Sequence, residues 1–145
     1  MNELLLVTGN SNKLQEWQRL MPPALTLASI DLDLEELQSD NPLEIVSDKA
    51  KRAYAIVGKP VIVEDVSAGL VSLQGLPGPF IKFFIKKLGK DALYQLANKQ
   101  DGSAAVVSCA AAYYDGETLV SVSGEVHGTV VAPRGDSFGF DATFV

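Results

Sequence analysis

The sequence of 145 residues contains only one cysteine, Cys109, one histidine, His127, and one tryptophan, Trp17. One cysteine cannot form an intramolecular disulfide, so the sequence carries no sign of an oxidising compartment. The apolar neighbours of Cys109 predict a buried strand position for it. His127 stands alone in a β-rich run and is predicted to be a strand residue without a functional role.

Positive charge is also scarce, with 12 lysines and arginines against 18 acidic residues and a formal net charge of −6. A nucleic-acid surface needs clustered cations, so this balance argues against nucleic acid as a partner. A few well-placed lysines would still suffice for one small phosphorylated ligand.

Long apolar runs are missing as well, since none approaches the roughly 20 residues of a membrane span. The start, Met-Asn-Glu followed by four apolar residues, lacks the positive flank and the length of a signal peptide. We therefore expect a cytoplasmic protein with no membrane partner. Apolar residues make up 47% and charged residues 21%, and with this length they predict one globular domain over 1–145.

Hydrophobic periodicity predicts strands alternating with helices, then two helices, then a β-rich end. In chain order, the predicted elements are Leu4–Val7, a helix capped by Asn10 or Ser11, Leu25–Ile30, a helix from Asn41 to Gly58 with Glu44 in a capping box, Val61–Val63 ending at Glu64-Asp65, an irregular stretch from Gly75 to Pro79, helices Phe80–Leu88 and Asp91–Leu96, a run from Ala104 to Tyr114, Leu119–Val122, Val126–Val131, and a strand from Phe140 to Val145. This order predicts an α/β fold with a mixed sheet.

Glu64 and Asp65 follow the most apolar predicted strand. Adjacent strand residues point to opposite faces, but at a strand end the chain can turn both carboxylates into one cleft. Hard cations such as Mg²⁺ take oxygen ligands and keep several waters that a base can activate. The pair therefore predicts a magnesium site, whereas an ordinary solvated strand end is the structural alternative.

The segment from Thr8 to Lys13 joins a strand to a helix N-terminus, where backbone N–H groups bind phosphate in many proteins. Lys13 adds a cation, and Gly9 permits close backbone approach. Asn12 and Leu14 stand where a P-loop has glycine and a metal-binding hydroxyl, so the segment is not a P-loop. A simple capped helix is the alternative for this segment.

Two later stretches complete the candidate set. The loop from Gly75 to Pro79 leads to Lys82, one turn into the next predicted helix, where a purely structural turn needs no lysine. The run from Asp136 to Asp141 sets two aromatic rings beside an acid, which can stack on a nucleobase and accept hydrogen bonds from its edge. A core strand with a turn is the alternative for that run.

Together and in order, five stretches resemble the inosine triphosphate pyrophosphatase family, which removes non-standard purine nucleoside triphosphates. They are Val7-Thr8-Gly9-Asn10 with Lys13, Val63-Glu64-Asp65, Gly75 to Lys82 with Phe83-Phe84, Val131 to Gly135, and Phe138-Gly139-Phe140-Asp141. This resemblance implies an elongated mixed sheet with flanking helices, two lobes around a cleft, and a homodimer.

The resemblance also implies hydrolysis of nucleoside triphosphates to a monophosphate and pyrophosphate with Mg²⁺ as cofactor. The implied metal ligands are Glu36, Glu64 and Asp65, and Asp65 also activates water. The implied substrate-binding residues are Thr8, Asn10, Lys13, Lys49 and Lys82 for the triphosphate, and Phe138, Phe140 and Asp141 for the base. Lys13 and Lys82 are implied to be catalytic together with Asp65, because they neutralise the charge that develops on the phosphates.

The sequence departs from the family pattern at three places. Val66 replaces a small hydroxyl residue, and Phe140 replaces a frequent tryptophan. The family also continues beyond Val145 into a Ser-His-Arg motif that completes the base pocket. From this difference we expect weak discrimination among purines and an apolar end, Phe144-Val145, that a second subunit covers. Two alternatives stay open, namely a nucleotide-binding protein with little turnover and an interaction protein with a vestigial site.

Overall fold

A computed structural model describes residues 3–99, 102–135 and 140–145. The strands are β1 (Glu3–Val7), β2 (Thr26–Ile30), β3 (Val61–Leu70), β4 (Pro77–Gly78), β5 (Ala104–Tyr114) and β6 (Leu119–Thr129). The helices are α1 (Ser11–Leu20), α2 (Pro42–Val57), α3 (Ile81–Leu88) and α4 (Ala92–Asn98), with 3₁₀ turns at Val71–Leu73 and Asp141–Thr143.

Six strands of the described part of the chain form one mixed sheet in the order β2-β1-β3-β5-β6, with β4 beside β3. Strand β1 is parallel to both β2 and β3, whereas β4 is antiparallel to β3. The predicted α/β fold with a mixed sheet and flanking helices is therefore confirmed. The predicted cleft between two lobes stays a prediction.

The chain divides into two compact units, each with its own apolar core. The first unit contains the described residues up to Asp65 together with Ala110–Ser123. The second contains the described residues of Val66–Cys109 and Gly124–Val145. No helix in the described ranges combines the length and the apolar character that crossing a bilayer requires.

In the first unit, both helices begin and end as their sequences predict. The Asn10 side chain caps α1, and the Asn41 side chain caps α2 by accepting the N–H of Leu43. Gly58 ends α2 in the left-handed conformation with φ of 66°, which glycine adopts without a steric cost. The predicted capping box is indirect. The Ser39 hydroxyl accepts a hydrogen bond from the N–H of Asn41 and donates one to the Glu44 carboxylate.

Strand β3 does not end at Glu64-Asp65, so that prediction is wrong. It continues to Leu70 because the residues after Asp65 are small or apolar and are buried, and Ala68 and Gly69 pair with β4. The pairing also gives Pro77-Gly78 a regular strand conformation within the stretch that was predicted to be irregular. Glu64 and Asp65 consequently lie in the middle of a strand.

Strand β6 is one continuous strand where the sequence predicted two. Most β6 positions are exposed, so the residues from Ser123 to Glu125 fit in the strand. Cys109 is exposed on β5, which contradicts its predicted burial. On strands with one open face, apolar neighbours do not predict which face is covered.

The end of the chain forms a 3₁₀ turn and an isolated bridge between Val130 and Phe144 instead of the predicted strand. Phe140 and Phe144 pack into the apolar core of the second unit. Phe144 is half-buried there, so the cover that a second subunit would add at this end stays a prediction. Val145 is exposed.

Candidate active site

The loop between β1 and α1 holds two of the predicted triphosphate-binding residues. The Asn10 side chain accepts the N–H of Asn12 at 2.9 Å, and Thr8 Oγ1 accepts the N–H of Asn10 at 3.1 Å. A Cβ atom at Gly9 would lie 2.7 Å from Asp31 Oδ2, so glycine allows this carboxylate to approach the loop closely. Both binding roles stay predictions, and both side chains stabilise the turn.

The Glu64 carboxylate is held by two residues of α1. Lys13 Nζ lies 3.3 Å from Glu64 Oε1, and the indole Nε1 of Trp17 donates to Glu64 Oε2 at 2.8 Å. Burial alone would lower the pKa of Lys13, but the charges of Glu64 and Glu16 raise it above the ordinary 10.5. Lys13 is therefore a fully charged ammonium group.

Asp65 points to the opposite face of β3. Ile62, two residues before Glu64, packs on the α1 side, whereas Val63, two residues before Asp65, packs on the α2 side. The Asp65 Oδ2 atom is buried and accepts no hydrogen bond from the residues that the structure describes. Burial raises the pKa of Asp65 from 3.8 to about 6; the Lys49 ammonium opposes this shift and Glu64 adds to it.

Lys49, on α2, connects the remaining acidic residues. Its Nζ donates to Glu36 Oε1 at 3.1 Å and to the backbone oxygen of Glu64 at 3.2 Å. Burial lowers the pKa of Lys49, while the charges of Asp65 and Glu64 raise it in part. Lys13, Glu36, Lys49, Glu64 and Asp65 therefore meet within the first unit.

These side chains suit a metal cation that the protein and a bound substrate hold jointly. They suit less well a cation that protein ligands alone would hold. Among the described residues, no three acidic, histidine or cysteine side chains are grouped closely enough to hold a metal ion. Mg²⁺ is usually held by one or two carboxylates plus substrate phosphates and water. The buried Asp65 Oδ2 offers such a ligand, and the Lys49 ammonium shows that a cation is accommodated beside Glu36.

The second unit carries the other predicted residues. Lys82 is exposed at the start of α3 with its Nζ 5.2 Å from the centre of the Phe83 ring, and partial burial of the ammonium lowers its pKa. Asp141 is exposed, but Phe140 is only 8% exposed and packs in the core. The ring could stack on a base only by leaving that core. Phe138 lies outside the described residues.

Sequence reasoning missed Trp17 as a polar contact and treated it only as an apolar helix position. The available signal was its spacing from Lys13, because residues four apart share one helix face. A lysine and a tryptophan on one face can reach the same carboxylate from two directions.

Comparisons with known proteins agree with this fold. A model of the Ham1 family matches residues 4–145. Inosine triphosphate pyrophosphatase from Yarrowia lipolytica is 40% identical in an alignment that covers 97% of this chain and 77% of the relative. The relative of the same name from Batrachochytrium dendrobatidis is 40% identical in an alignment that covers 99% of this chain and 77% of the relative.

Solved structures show the same fold. A HAM1 protein from Coxiella burnetii has a TM-score of 0.82 and 25% identity, covering 99% of this chain and 81% of that one. The Staphylococcus aureus Ham1 protein has a TM-score of 0.80 and 22% identity, covering 99% of this chain and 80% of that one. From the family match over nearly its whole length, this chain belongs to the Ham1 family.

Proposed function

We propose that this chain hydrolyses purine nucleoside triphosphates, including inosine triphosphate, to the monophosphate and pyrophosphate with Mg²⁺. The observation that carries the proposal is the Asp65 carboxyl, buried in β3 with an unpaired oxygen and a pKa raised to about 6. Buried carboxyls with shifted pKa values concentrate at functional sites, since such burial destabilises the fold. Relatives that carry the inosine triphosphate pyrophosphatase name support the reaction class.

The lysines of the first unit bind the phosphates. Lys13 is charged and partly exposed, so it can move from Glu64 to a phosphate oxygen. Lys49 holds Glu36 and the Glu64 backbone and adds positive charge beside Asp65. Positive charge placed before the reaction stabilises the charge that develops on the leaving pyrophosphate.

Asp65 acts as the base for the attacking water. At neutral pH its carboxyl is ionised, because its pKa of about 6 lies below 7, and it is more basic than an exposed aspartate. Water attacks the α-phosphorus, Asp65 takes the proton, and the bond to the pyrophosphate oxygen breaks. Asp65, with Glu36 beside the same Lys49, would hold Mg²⁺, which when bound screens phosphate charge and makes water more acidic. Glu64 stays a predicted ligand, since its side chain lies on the other face of β3.

We propose contacts to the nucleobase in broader terms. Asp141 is exposed in the second unit and can accept hydrogen bonds from a base edge, and Lys82 is exposed at the start of α3. The net charge of −6 supports a small triphosphate over nucleic acid as the ligand. With the family resemblance, we also propose a homodimer in the cytoplasm.

Identifying the products tests this function. The chain is incubated with ITP, XTP, GTP and ATP, with Mg²⁺ or with a chelator, and pyrophosphate and orthophosphate are measured separately. We expect equal amounts of pyrophosphate and monophosphate, only with Mg²⁺. Release of orthophosphate instead of pyrophosphate would refute the proposed cleavage at the α-phosphorus. Tight triphosphate binding without turnover would favour a nucleotide-binding protein instead.

A further inference from the structure

The sole tryptophan of the chain contacts the candidate site through a polar atom. Trp17 packs in the apolar cluster between α1 and the strands, and its Nε1 donates to Glu64 Oε2 at 2.8 Å. The other carboxylate oxygen, Oε1, lies 3.3 Å from Lys13 Nζ. Two residues one turn apart on α1 therefore hold the two oxygens of a single carboxylate.

The two contacts differ in how they respond to a bound anion. Lys13 is charged and its side chain is 20% exposed, so the phosphates of a ligand compete with Glu64 for it. The indole N–H is a neutral donor on a packed ring, so a phosphate attracts it less strongly than it attracts the Lys13 ammonium. Glu64 would thus keep the indole N–H as a partner when Lys13 leaves.

We propose that Trp17 is a positioning residue that holds the Glu64 carboxylate while Lys13 exchanges from Glu64 to the triphosphate. The indole donor withdraws part of the negative charge of Glu64, so the ion pair with Lys13 is weaker and Lys13 is easier to transfer. The donor also keeps this partly buried carboxylate in a fixed position after the transfer, because its hydrogen bond to Glu64 Oε2 does not involve Lys13. This inference rests on the proposed function, since it needs a triphosphate at Lys13.

The proposed exchange of Lys13 from Glu64 to the triphosphate can be tested by ligand binding alone, without turnover. Trp17→Phe keeps an aromatic ring in the cluster and removes the N–H together with the five-membered part of the indole. We expect the Kd of a non-hydrolysable triphosphate analogue to rise about tenfold, because Glu64 without the indole donor holds Lys13 more strongly in the unbound chain, a difference on the scale of one hydrogen bond to a charged group. Tyr113→Phe is the matched control, because Tyr113 packs in the same cluster and its hydroxyl donates to Asp115 instead of Glu64. Its Kd should stay at the wild-type value.

A double-mutant cycle with Glu64→Ala separates positioning from packing. If Trp17 acts through Glu64, Trp17→Phe changes the Kd much less in the Glu64→Ala background than in the wild type. Equal effects in both backgrounds would make Trp17 a packing residue and overturn the proposal.

A second measurement needs neither activity nor a Trp17 variant. One tryptophan gives one indole N–H signal in a ¹H–¹⁵N NMR spectrum. We expect this signal to move on Glu64→Ala, and to stay close to its wild-type position when the analogue binds to the wild-type chain. The proposal would be overturned if the position of the signal did not change on Glu64→Ala. It would also be overturned if analogue binding moved the wild-type signal to the position seen in Glu64→Ala.

The outcomes keep the two claims apart. If the wild-type chain does not bind the analogue, the proposed function fails and the exchange fails with it. If the wild-type chain binds the analogue and Trp17→Phe binds it equally well, only the exchange fails.

Discussion

At the scale of single residues, Asp65 links function to a loss of stability. Its carboxyl is buried on β3, with the Lys49 ammonium as the opposing charge. The raised pKa means that the folded protein binds this proton more tightly than the unfolded chain does. Stability contributed by the protonated form is therefore present below pH 3.8 and is lost as the pH rises to about 6.

Asp65→Asn should consequently stabilise the protein at neutral pH. The variant removes the charge that burial penalises, and the full shift corresponds to an upper limit of about 3 kcal/mol. We expect a gain of about 1–2 kcal/mol above pH 6, because the buried amide offsets part of it, and a smaller gain near pH 4. Urea unfolding at several pH values measures this. Asp33→Asn, at an exposed carboxyl, is the control, and an equal gain in both variants would contradict the account.

Lys13 and Lys82 should act on binding more than on folding. Lys13→Ala and Lys82→Ala each remove a cation from an incompletely buried position, so we expect KM for the triphosphate to rise about tenfold. The melting temperature should change little. Lys59→Ala, at an exposed lysine outside the candidate site, is the control for both. Unchanged kinetics in both variants would remove the phosphate assignment, and a simple loss of stability would favour a structural role.

The residue pattern predicted the members of this site better than their geometry. Lys13, Lys49, Glu36, Glu64 and Asp65 do meet, but the sequence placed both carboxylates of the acidic pair in one cleft. Period-two alternation in a continuing strand sends them to opposite faces instead. Glu64 therefore contacts α1, and Asp65 lies on the side of α2. This separation follows from the continuation of β3 beyond the two residues.

At the scale of elements, β3 depends on close backbone approach in its second half. A Cβ atom at Gly69 would lie 1.8 Å from the backbone oxygen of Gly75, in the loop that leads to β4. A backbone group cannot turn aside as a flexible side chain does. Glycine at this position is therefore required by packing.

Gly69→Ala should destabilise the protein by about 1–3 kcal/mol, the usual cost of an added methyl group that forces the backbone to shift. Gly124→Ala is the matched control, because Gly124 also lies in a strand but has no atom near the place of a Cβ. The free energy of unfolding in urea measures both variants. Equal values for the two would show that the loop near Gly75 yields at little cost.

Elements with strong local signals were predictable, and those that depend on neighbours were not. The caps at Asn10, Asn41 and Gly58 fixed three helix ends, since capping is a local interaction. The extension of β3 depends instead on pairing with β4, and the turn at Asp141–Thr143 on packing against the second core. A short apolar stretch alone does not distinguish these outcomes.

At the scale of the whole molecule, the two units divide the candidate residues. The first unit holds the acidic residues and Lys13 and Lys49, whereas Lys82, Phe140 and Asp141 belong to the second. In a chain of net charge −6, the first unit places the ammonium groups of Lys13 and Lys49 beside Glu64 and Asp65, where phosphates can compete with these carboxylates. This distribution suits a small anionic ligand.

The most direct test of the central claim compares the wild-type chain with Asp65→Asn in pyrophosphate release from inosine triphosphate with Mg²⁺. Asparagine keeps the shape and removes the charge and the basicity, so we expect kcat to fall by about 10²–10⁴, the scale of a lost general base. Asp33→Asn should keep the wild-type rate. An Asp65→Asn rate within a few-fold of wild type, in a folded protein, would contradict the account.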